Sequence, residues 1–230
     1  MREQATSAEP KYIPAARWRA FSRLYDPVLA LTMRERRFRA AMRERVSGSL
    51  PNGGSVLDVG CGTGTFAIGF ASRRPDARVT GIDGDKEILA RARAKEGAGA
   101  VEWRQGLAGE LPLPDESADV ATMSLVLHHL LPEQKRVALA EVKRVLKPGG
   151  SFHLADWGSP HDPLMSAVFF VSQAIDGFER TADHRAGLLP TLLAGAGFDE
   201  VERYGRLRTM GGSLDLLVAR ARSQQPGRFA

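Results

Sequence analysis

The segment Val56-Leu-Asp-Val-Gly60-Cys-Gly62-Thr-Gly64 constrains the fold of this chain more than any other segment. Its apolar first half is typical of a central parallel strand that is covered on both faces. The alternate glycines allow a tight turn and bring bare backbone close to a ligand. We expect Thr63 or Thr65 to cap a helix that follows, whose free N–H groups attract a carboxylate or a phosphate. The segment therefore predicts a strand, a ligand-binding loop and a helix in succession.

An acidic residue at a suitable distance supports a nucleoside site. Asp83 ends the next apolar run, 23 residues after Gly60. In dinucleotide-type folds an acidic residue about 20 residues beyond the glycine loop meets ribose hydroxyls. The glycine spacing differs from the Gly-x-Gly-x-x-Gly pattern of nicotinamide and flavin sites, because the third glycine comes one residue early and position 65 is Thr. A nicotinamide oxidoreductase is therefore disfavoured.

Composition indicates one α/β domain with a small appendage. The chain has 230 residues, and 43% of them are hydrophobic, which is enough for a sizeable core. Cys61 is the single cysteine, so a disulfide framework and a cysteine-rich zinc site are excluded. We recognise no signal peptide and no apolar run of about 20 residues, the length that spans a membrane. We therefore expect a cytoplasmic protein.

The net charge of +5 is unevenly distributed. Residues 1–45 carry eleven Lys and Arg against five Asp and Glu, whereas residues 46–230 carry twenty-one against twenty-two. The main domain therefore lacks the basic face expected of a nucleic-acid enzyme. The arginines at 34, 36, 37, 39 and 43 could approach an anionic membrane surface or a substrate phosphate, or could form an ordinary solvated helix face.

Strands and helices alternate along most of the chain. We predict strands at 55–59, 78–82, 101–103, 118–126 and 152–155, with helices near 63–73, 85–96 and 133–146 and a Pro148-Gly-Gly stop signal. This alternation implies right-handed βαβ units on a mostly parallel sheet. A helix near 187–196 and strands at 201–207 and 214–219, joined at Gly211-Gly212, predict an antiparallel C-terminal hairpin.

The ends of the chain and one internal stretch are expected to be appendages. We predict a flexible tail at 1–14, a helical lid at 15–48, the main domain at 49–222 with a cap insertion at 160–185, and a flexible tail at 223–230. The lid has an apolar face formed by Trp18, Phe21 and Tyr25, and the insertion contains the apolar run Leu164–Val171. Both favour a hydrophobic or lipid-like ligand, unless they are ordinary core or dimer-contact helices.

The run from Asp58 to Gly64 closely resembles the first motif of class I S-adenosylmethionine-dependent methyltransferases. Four further segments are similar to family motifs, at 111–120, 125–130, 141–150 and 193–198. The nearest branch resembles the quinone-biosynthesis and related small-molecule methyltransferases. The resemblance implies an α/β fold with a Rossmann-like seven-stranded, mostly parallel sheet and a reversed last strand. It also implies S-adenosyl-L-methionine as cofactor and methyl transfer to a small, hydrophobic acceptor by direct in-line displacement.

The resemblance also implies a set of cofactor-binding residues. These are Asp58, Gly60, Cys61, Gly62, Gly64, Asp83, Gly84, Leu107 and Ser124. Asp58 would attract the ammonium group of the cofactor, and Asp83 would accept hydrogen bonds from the ribose. Leu107 stands where the family commonly has an acidic residue that contacts adenine, and Glu110 is a weaker substitute. Asp85 is better explained as the cap of the next helix.

The candidate catalytic residues are His128, His129 and Asp156. The two histidines follow the predicted fourth strand and Asp156 ends the fifth, and ligands in open α/β sheets bind beyond the carboxyl ends of strands. They could instead serve only as loop and turn residues. His184 is a further candidate, and His153 lies within a strand and is expected to be structural. No ligand spacing indicates a metal.

Three functions are compatible with the methyltransferase resemblance. The first is an enzyme acting on a small acceptor, as a monomer or homodimer, with peripheral membrane contact allowed. The second is an RNA-directed methyltransferase that uses the basic N-terminal arm, although the segment after the fourth strand lacks the Asn/Asp-Pro-Pro-Tyr/Phe motif of enzymes that methylate base amines. The third is a non-catalytic cofactor-binding module.

Overall fold

The computed structural model describes residues 34–222, which form one seven-stranded sheet flanked by helices. The strands are β1 Ser55–Val59, β2 Arg78–Asp83, β3 Val101–Gln105, β4 Ala118–Ser124, β5 Leu146–Trp157, β6 Phe198–Thr209 and β7 Gly212–Ala221. They lie in the order β3-β2-β1-β4-β5-β7-β6. The first five strands are parallel, and β7 runs antiparallel to both β5 and β6. The predicted fold class, with its reversed C-terminal hairpin, is confirmed.

Helices cover both faces of this sheet. They are α1 Glu35–Ser49, α2 Thr65–Ala71, α3 Lys86–Arg93, α4 Pro132–Val145, α5 Pro163–Asp176, α6 Phe178–Arg185 and α7 Leu189–Gly195. One apolar core contains side chains of α1, α2 and α5, and the other contains side chains of α4 and α7. The strand order reverses between β1 and β4, and a crevice at such a reversal is where open α/β sheets bind ligands.

The start of α2 corrects one prediction. Neither Thr63 nor Thr65 caps this helix, because Gly64 occupies the N-cap position in a left-handed conformation and no side chain accepts a capping hydrogen bond. Lys95 Nζ instead donates hydrogen bonds to the hydroxyl oxygens of Thr63 and Thr65, at 2.8 and 3.3 Å. The first N–H groups of this helix therefore receive no side-chain cap. The predicted cap Asp85 is confirmed, since its carboxylate accepts from two backbone N–H groups of α3.

The limits of β4 and β5 also differ from the predictions. β4 ends at Ser124, two residues early, because Leu125 takes a left-handed φ of 56°. β5 begins at Leu146, six residues before the predicted start, so Pro148-Gly-Gly does not precede the strand. Pro148, Gly149 and Gly150 lie at a register shift between β5 and β4, since Ala118 pairs with Leu146 but Val120 pairs with Ser151. A local stop signal was thus overridden by pairing with β4.

Some predictions fall outside the described residues. These are the two flexible tails and the Trp18, Phe21 and Tyr25 face of the proposed lid. The rest of the predicted lid segment contains α1, whose Phe38, Met42 and Val46 are buried against the sheet. Within residues 34–222, no helix has both the length and the apolar character that crossing a bilayer requires.

Candidate active site

The glycine loop is held in a conformation that glycine favours. Gly60, Gly62 and Gly64 have φ angles of 66°, 55° and 74°. The N–H groups of Gly60 and Cys61 both donate to Ile82 O, at 2.8 and 3.0 Å. A Cβ atom on Gly60 would lie 2.4 Å from Val126 Cγ2, so this position has no room for a side chain. The loop after β4 therefore packs directly on the glycine loop.

Asp83 lies between the end of β2 and the glycine loop. Its Oδ2 accepts from Gly62 N at 2.9 Å, and its Oδ1 accepts from Asp85 N at 2.9 Å. Burial raises the pKa of Asp83, although these backbone hydrogen bonds oppose the rise. The hydrogen bonds fix the carboxylate position and leave further lone pairs to accept from a ligand.

Asp58 is almost fully buried, with 1% of its surface exposed. Its Oδ1 accepts from Thr122 Oγ1 at 2.8 Å. Burial raises the pKa of Asp58 to about 6, while the Thr122 hydrogen bond and the Arg39 charge act in the opposite direction. A cation that bound beside Asp58 would stabilise its ionised form and lower this pKa again.

Arg39 lies in the first turns of α1, which pack against β1 and α2, because the buried Phe38 shares one core cluster with Val56 and Phe66. Arg39 forms an ion pair with Glu35, and 17% of its side chain is exposed. The sequence left this arginine either on a solvated helix face or near an anionic membrane surface or substrate phosphate. The only sequence signal for an inward position is its neighbour Phe38, which is a buried member of the same helix.

The remaining predicted cofactor residues lie at the same edge of the sheet. Leu107 is half-buried in a turn just after β3, where its carbonyl accepts from Glu110 N at 3.0 Å. Gly84 follows Asp83 directly, and Ser124 is the last residue of β4. Cys61 is buried, and burial raises the pKa of its thiol. The thiol is therefore protonated and unreactive at neutral pH.

Asp156 organises the loop after β4. It is fully buried, and its Oδ2 accepts from the backbone N–H groups of Val126 and Leu127 at 3.1 and 2.8 Å. Its Oδ1 receives His128 Nδ1 and Trp157 N, both at 2.7 Å. Burial by itself would raise the pKa of Asp156, but the adjacent histidines hold it well below its usual range. Asp156 thus positions other groups rather than reaching open space itself.

The two adjacent histidines have different environments. Burial lowers the pKa of His128, but its contact with Asp156 more than reverses this, so the pKa is raised overall. Burial and the charge of His128 lower the pKa of His129. Its side chain nevertheless keeps 44% of its surface exposed, so the effect of burial is partial. The neutral imidazole is therefore favoured, and it presents a nitrogen lone pair.

A buried lysine on α4 forms hydrogen bonds to α6 beside Asp156. Lys135 on α4 is fully buried and its Nζ donates to Arg180 O, to Asp183 Oδ2 at 3.2 Å and to His184 Nδ1 at 3.3 Å. His184 Nε2 then faces Asp156 Oδ1 at 3.5 Å, an electrostatic contact rather than a hydrogen bond. Sequence reasoning missed Lys135, since a lysine on an amphipathic helix predicts an exposed position.

Comparisons with known proteins agree with this geometry. The family profile described as a methyltransferase domain matches residues 56–150. The uncharacterized methyltransferase sll0829 of Synechocystis sp. is 32% identical over 212 residues, which cover 89% of this chain and 96% of that protein. The ubiquinone/menaquinone biosynthesis C-methyltransferase UbiE of Syntrophotalea carbinolica is 35% identical over 59% of this chain, and the aligned part spans only 56% of that enzyme.

A solved structure supports the fold. The S-adenosylmethionine-dependent methyltransferase from Methanosarcina mazei superposes with a TM-score of 0.64 at 24% identity, covering 78% of this chain and 97% of that one. The match to sll0829 spans nearly the whole of that relative, and the glycine loop and strand order are those that the resemblance implied. The chain therefore belongs to the class I S-adenosylmethionine-dependent methyltransferases, and S-adenosylmethionine is its cofactor.

Proposed function

We propose that this enzyme transfers the methyl group of S-adenosylmethionine to a small, hydrophobic or lipid-like acceptor by direct in-line displacement. The observation that carries the proposal is the exposed apolar surface of α5 and α6. On these helices Phe170 is 57% exposed and Ile175 is 73% exposed, and Phe170 contacts Phe178 with ring centroids 5.6 Å apart. Exposed apolar side chains on two successive helices support a binding site for an apolar partner.

The position of α5 and α6 connects this surface to the cofactor site. α5 follows β5 at the carboxyl end of the sheet, and its buried Phe169 packs edge-on against Trp157. α6 brings His184 to 3.5 Å from Asp156. An acceptor that rested on these helices would therefore lie close to the loop after β4, which packs on the glycine loop. The printed name of the Syntrophotalea relative, a quinone C-methyltransferase, is compatible with an acceptor of this kind.

The cofactor is assigned to the described loop residues. Asp83 would accept from the ribose hydroxyls, the glycine loop and the α2 N-terminus would hold the methionyl carboxylate, and Asp58 would attract the ammonium. Leu107 would pack against the adenine ring. These roles rest on the positions of the side chains around the carboxyl ends of β1, β2 and β3.

Transfer from the sulfonium depends chiefly on alignment of the attacking atom with the methyl carbon. The acceptor atom forms the new bond to carbon, and the S–C electron pair remains on sulfur, which leaves S-adenosylhomocysteine. A general base is needed only if the acceptor atom carries a proton, and the lowered pKa of His129 makes that side chain a weak one. His128 and Asp156 act by holding the loop that carries His129. We also propose that the enzyme is cytoplasmic and that it is a monomer or a homodimer. Both statements rest on the sequence alone.

An isotope-transfer assay tests the proposal. Labelled S-adenosylmethionine is incubated with a hydroquinone that carries an isoprenoid chain, with the same head group without the chain, and with RNA. We expect label on the first substrate, a much higher KM for the second and none on RNA. Labelled RNA, or equal KM values for the two hydroquinones, would contradict the proposal.

A double variant and a matched control test whether this apolar surface binds the acceptor. Phe170→Ser combined with Ile175→Ser should raise the KM for the chain-bearing acceptor and leave the affinity for S-adenosylhomocysteine unchanged. Val137→Ser is the matched control, because Val137 on α4 is a similarly exposed apolar side chain at 45%. An unchanged KM in the double variant would exclude this surface.

A further inference from the structure

We propose that His128, His129 and Asp176 form a binding site for a divalent transition-metal ion, and that this ion holds an acceptor through two neighbouring oxygen atoms. The first half of the proposal concerns the protein alone. The second half rests on the proposed function.

The three side chains are close enough to share one ion. One ligand atom of each lies within 4.8 Å of the ligand atoms of the other two. His129 Nδ1 is 4.0 Å from Asp176 Oδ1, and the two imidazole rings have centroids 3.9 Å apart. Metal–ligand bonds of about 2.1 Å place neighbouring tetrahedral ligands roughly 3.4 Å apart. A small rotation of the partly exposed His129 and Asp176 side chains closes this gap.

His128 makes the outer contact that metal-binding histidines commonly make. Its Nδ1 lies 2.7 Å from Asp156 Oδ1. If Nδ1 carries the proton, Nε2 is left with its lone pair. Metal-binding histidines generally donate their other N–H to a carboxylate in this way, which fixes the tautomer and raises the basicity of the ligand nitrogen. Asp156 is itself fixed by three backbone N–H groups. This outer carboxylate is the feature that distinguishes the cluster from a chance grouping.

The ligand set indicates the class of metal. Two imidazoles and one carboxylate suit Zn²⁺, Mn²⁺, Fe²⁺ or Co²⁺, whereas Mg²⁺ and Ca²⁺ prefer oxygen ligands throughout. Three protein ligands leave at least one coordination position open, as in catalytic rather than structural metal sites. The open position can take acceptor oxygens, and two adjacent oxygens would chelate the ion.

The cluster lies next to the loop that packs on the glycine loop. The histidines follow β4, Asp176 ends α5, and Val126, two residues before His128, packs on Gly60 of the glycine loop. A metal-bound acceptor would therefore sit between the cofactor loop and the apolar surface of α5. A vicinal diol, a catechol or an α-hydroxyketone has the required pair of oxygens.

Metal titration of the full chain, without an affinity tag and after treatment with chelator, tests the site. We expect one equivalent of Co²⁺, with visible d–d absorption typical of nitrogen and oxygen ligands, and displacement by Zn²⁺. His129→Ala and Asp176→Asn are chosen because neither residue is a fully buried part of the core. Each should weaken binding by more than about tenfold. His161→Ala is the control, since His161 contacts Ser213 outside the cluster and should leave binding unchanged.

Two results would overturn the metal site. One is wild-type protein that binds no stoichiometric Co²⁺ or Zn²⁺, in which case His129 and Asp176 are only neighbouring side chains. The other is binding that survives both substitutions. Titration of the same samples with S-adenosylhomocysteine keeps the two proposals separate, because loss of metal binding with intact cofactor binding rejects this inference and leaves the methyltransferase assignment standing. Equal methylation of substrates with one oxygen or two, with metal present, would reject the chelation step.

Discussion

The substitution Asp58→Asn should stabilise the protein while weakening cofactor binding. Asp58 is buried, and its pKa rises from 3.8 to about 6 on folding. Asn has nearly the same shape and can still accept from Thr122 Oγ1, so the substitution removes the ionisation and little else. Since the folded protein retains the Asp58 proton to higher pH than the unfolded chain, wild-type stability falls as pH rises from about 4 to about 6.

The magnitude follows from the pKa difference. A rise of about two units corresponds to about 3 kcal/mol of unfolding free energy, and Asp58→Asn should gain this amount above pH 7. At pH 5 the gain should be roughly half as large, and it should approach zero only near pH 3, where Asp58 is protonated in both states.

Urea denaturation of both proteins from pH 4 to pH 8 measures this difference. Thr122→Val serves as a second probe, because loss of its hydrogen bond should raise the pKa of Asp58 further and move the pH dependence upward. A difference between Asp58→Asn and wild type that stays constant across this range would refute the reasoning. Affinity for S-adenosylhomocysteine at pH 8 should fall in Asp58→Asn if Asp58 binds the ammonium.

Substitutions at Asp83, Gly60 and Asp156 also test the site. Asp83→Ala should abolish detectable S-adenosylhomocysteine binding in calorimetry and leave the circular dichroism spectrum nearly unchanged. Asp83→Asn keeps one acceptor oxygen and should have intermediate affinity. Full affinity in both variants would show that the ribose contact is misassigned. Gly60→Ala should weaken cofactor binding more than tenfold, because position 60 has a φ of 66° and the new methyl group would clash with Val126. Adding Val126→Ala should recover part of the lost affinity, and no recovery would exclude the clash as the cause. Asp156→Asn should lower the unfolding free energy by about 3–5 kcal/mol in urea denaturation, because it places an N–H₂ group against N–H donors, whereas a loss below about 1 kcal/mol would contradict its role in holding the loop.

Local signals in the sequence were sufficient for the sheet and the cofactor loop. The alternation of apolar runs predicted every strand from β1 to β7, and glycine at 60, 62 and 64 indicated positive φ angles that the structure contains. Asp85 was predictable as a cap because its hydrogen bonds reach only two and three residues along the chain.

Features that depend on distant contacts could not be predicted. Lys135 is buried because groups more than 40 residues away accept its three hydrogens. Asp176 meets His129 only because α5 folds back over the end of β4, which no spacing in the sequence encodes. The early start of β5 depends on pairing with β4 across a register shift, and this pairing overrides the turn preference of Pro148-Gly-Gly.

Calorimetric titration of the purified chain with S-adenosylhomocysteine, with NAD as the control ligand, tests the central claim most directly. The account predicts micromolar binding of S-adenosylhomocysteine with one site per chain and no heat from NAD. Absence of S-adenosylhomocysteine binding by folded protein, or binding of NAD instead, would contradict the assignment of the glycine loop and Asp83 to this cofactor.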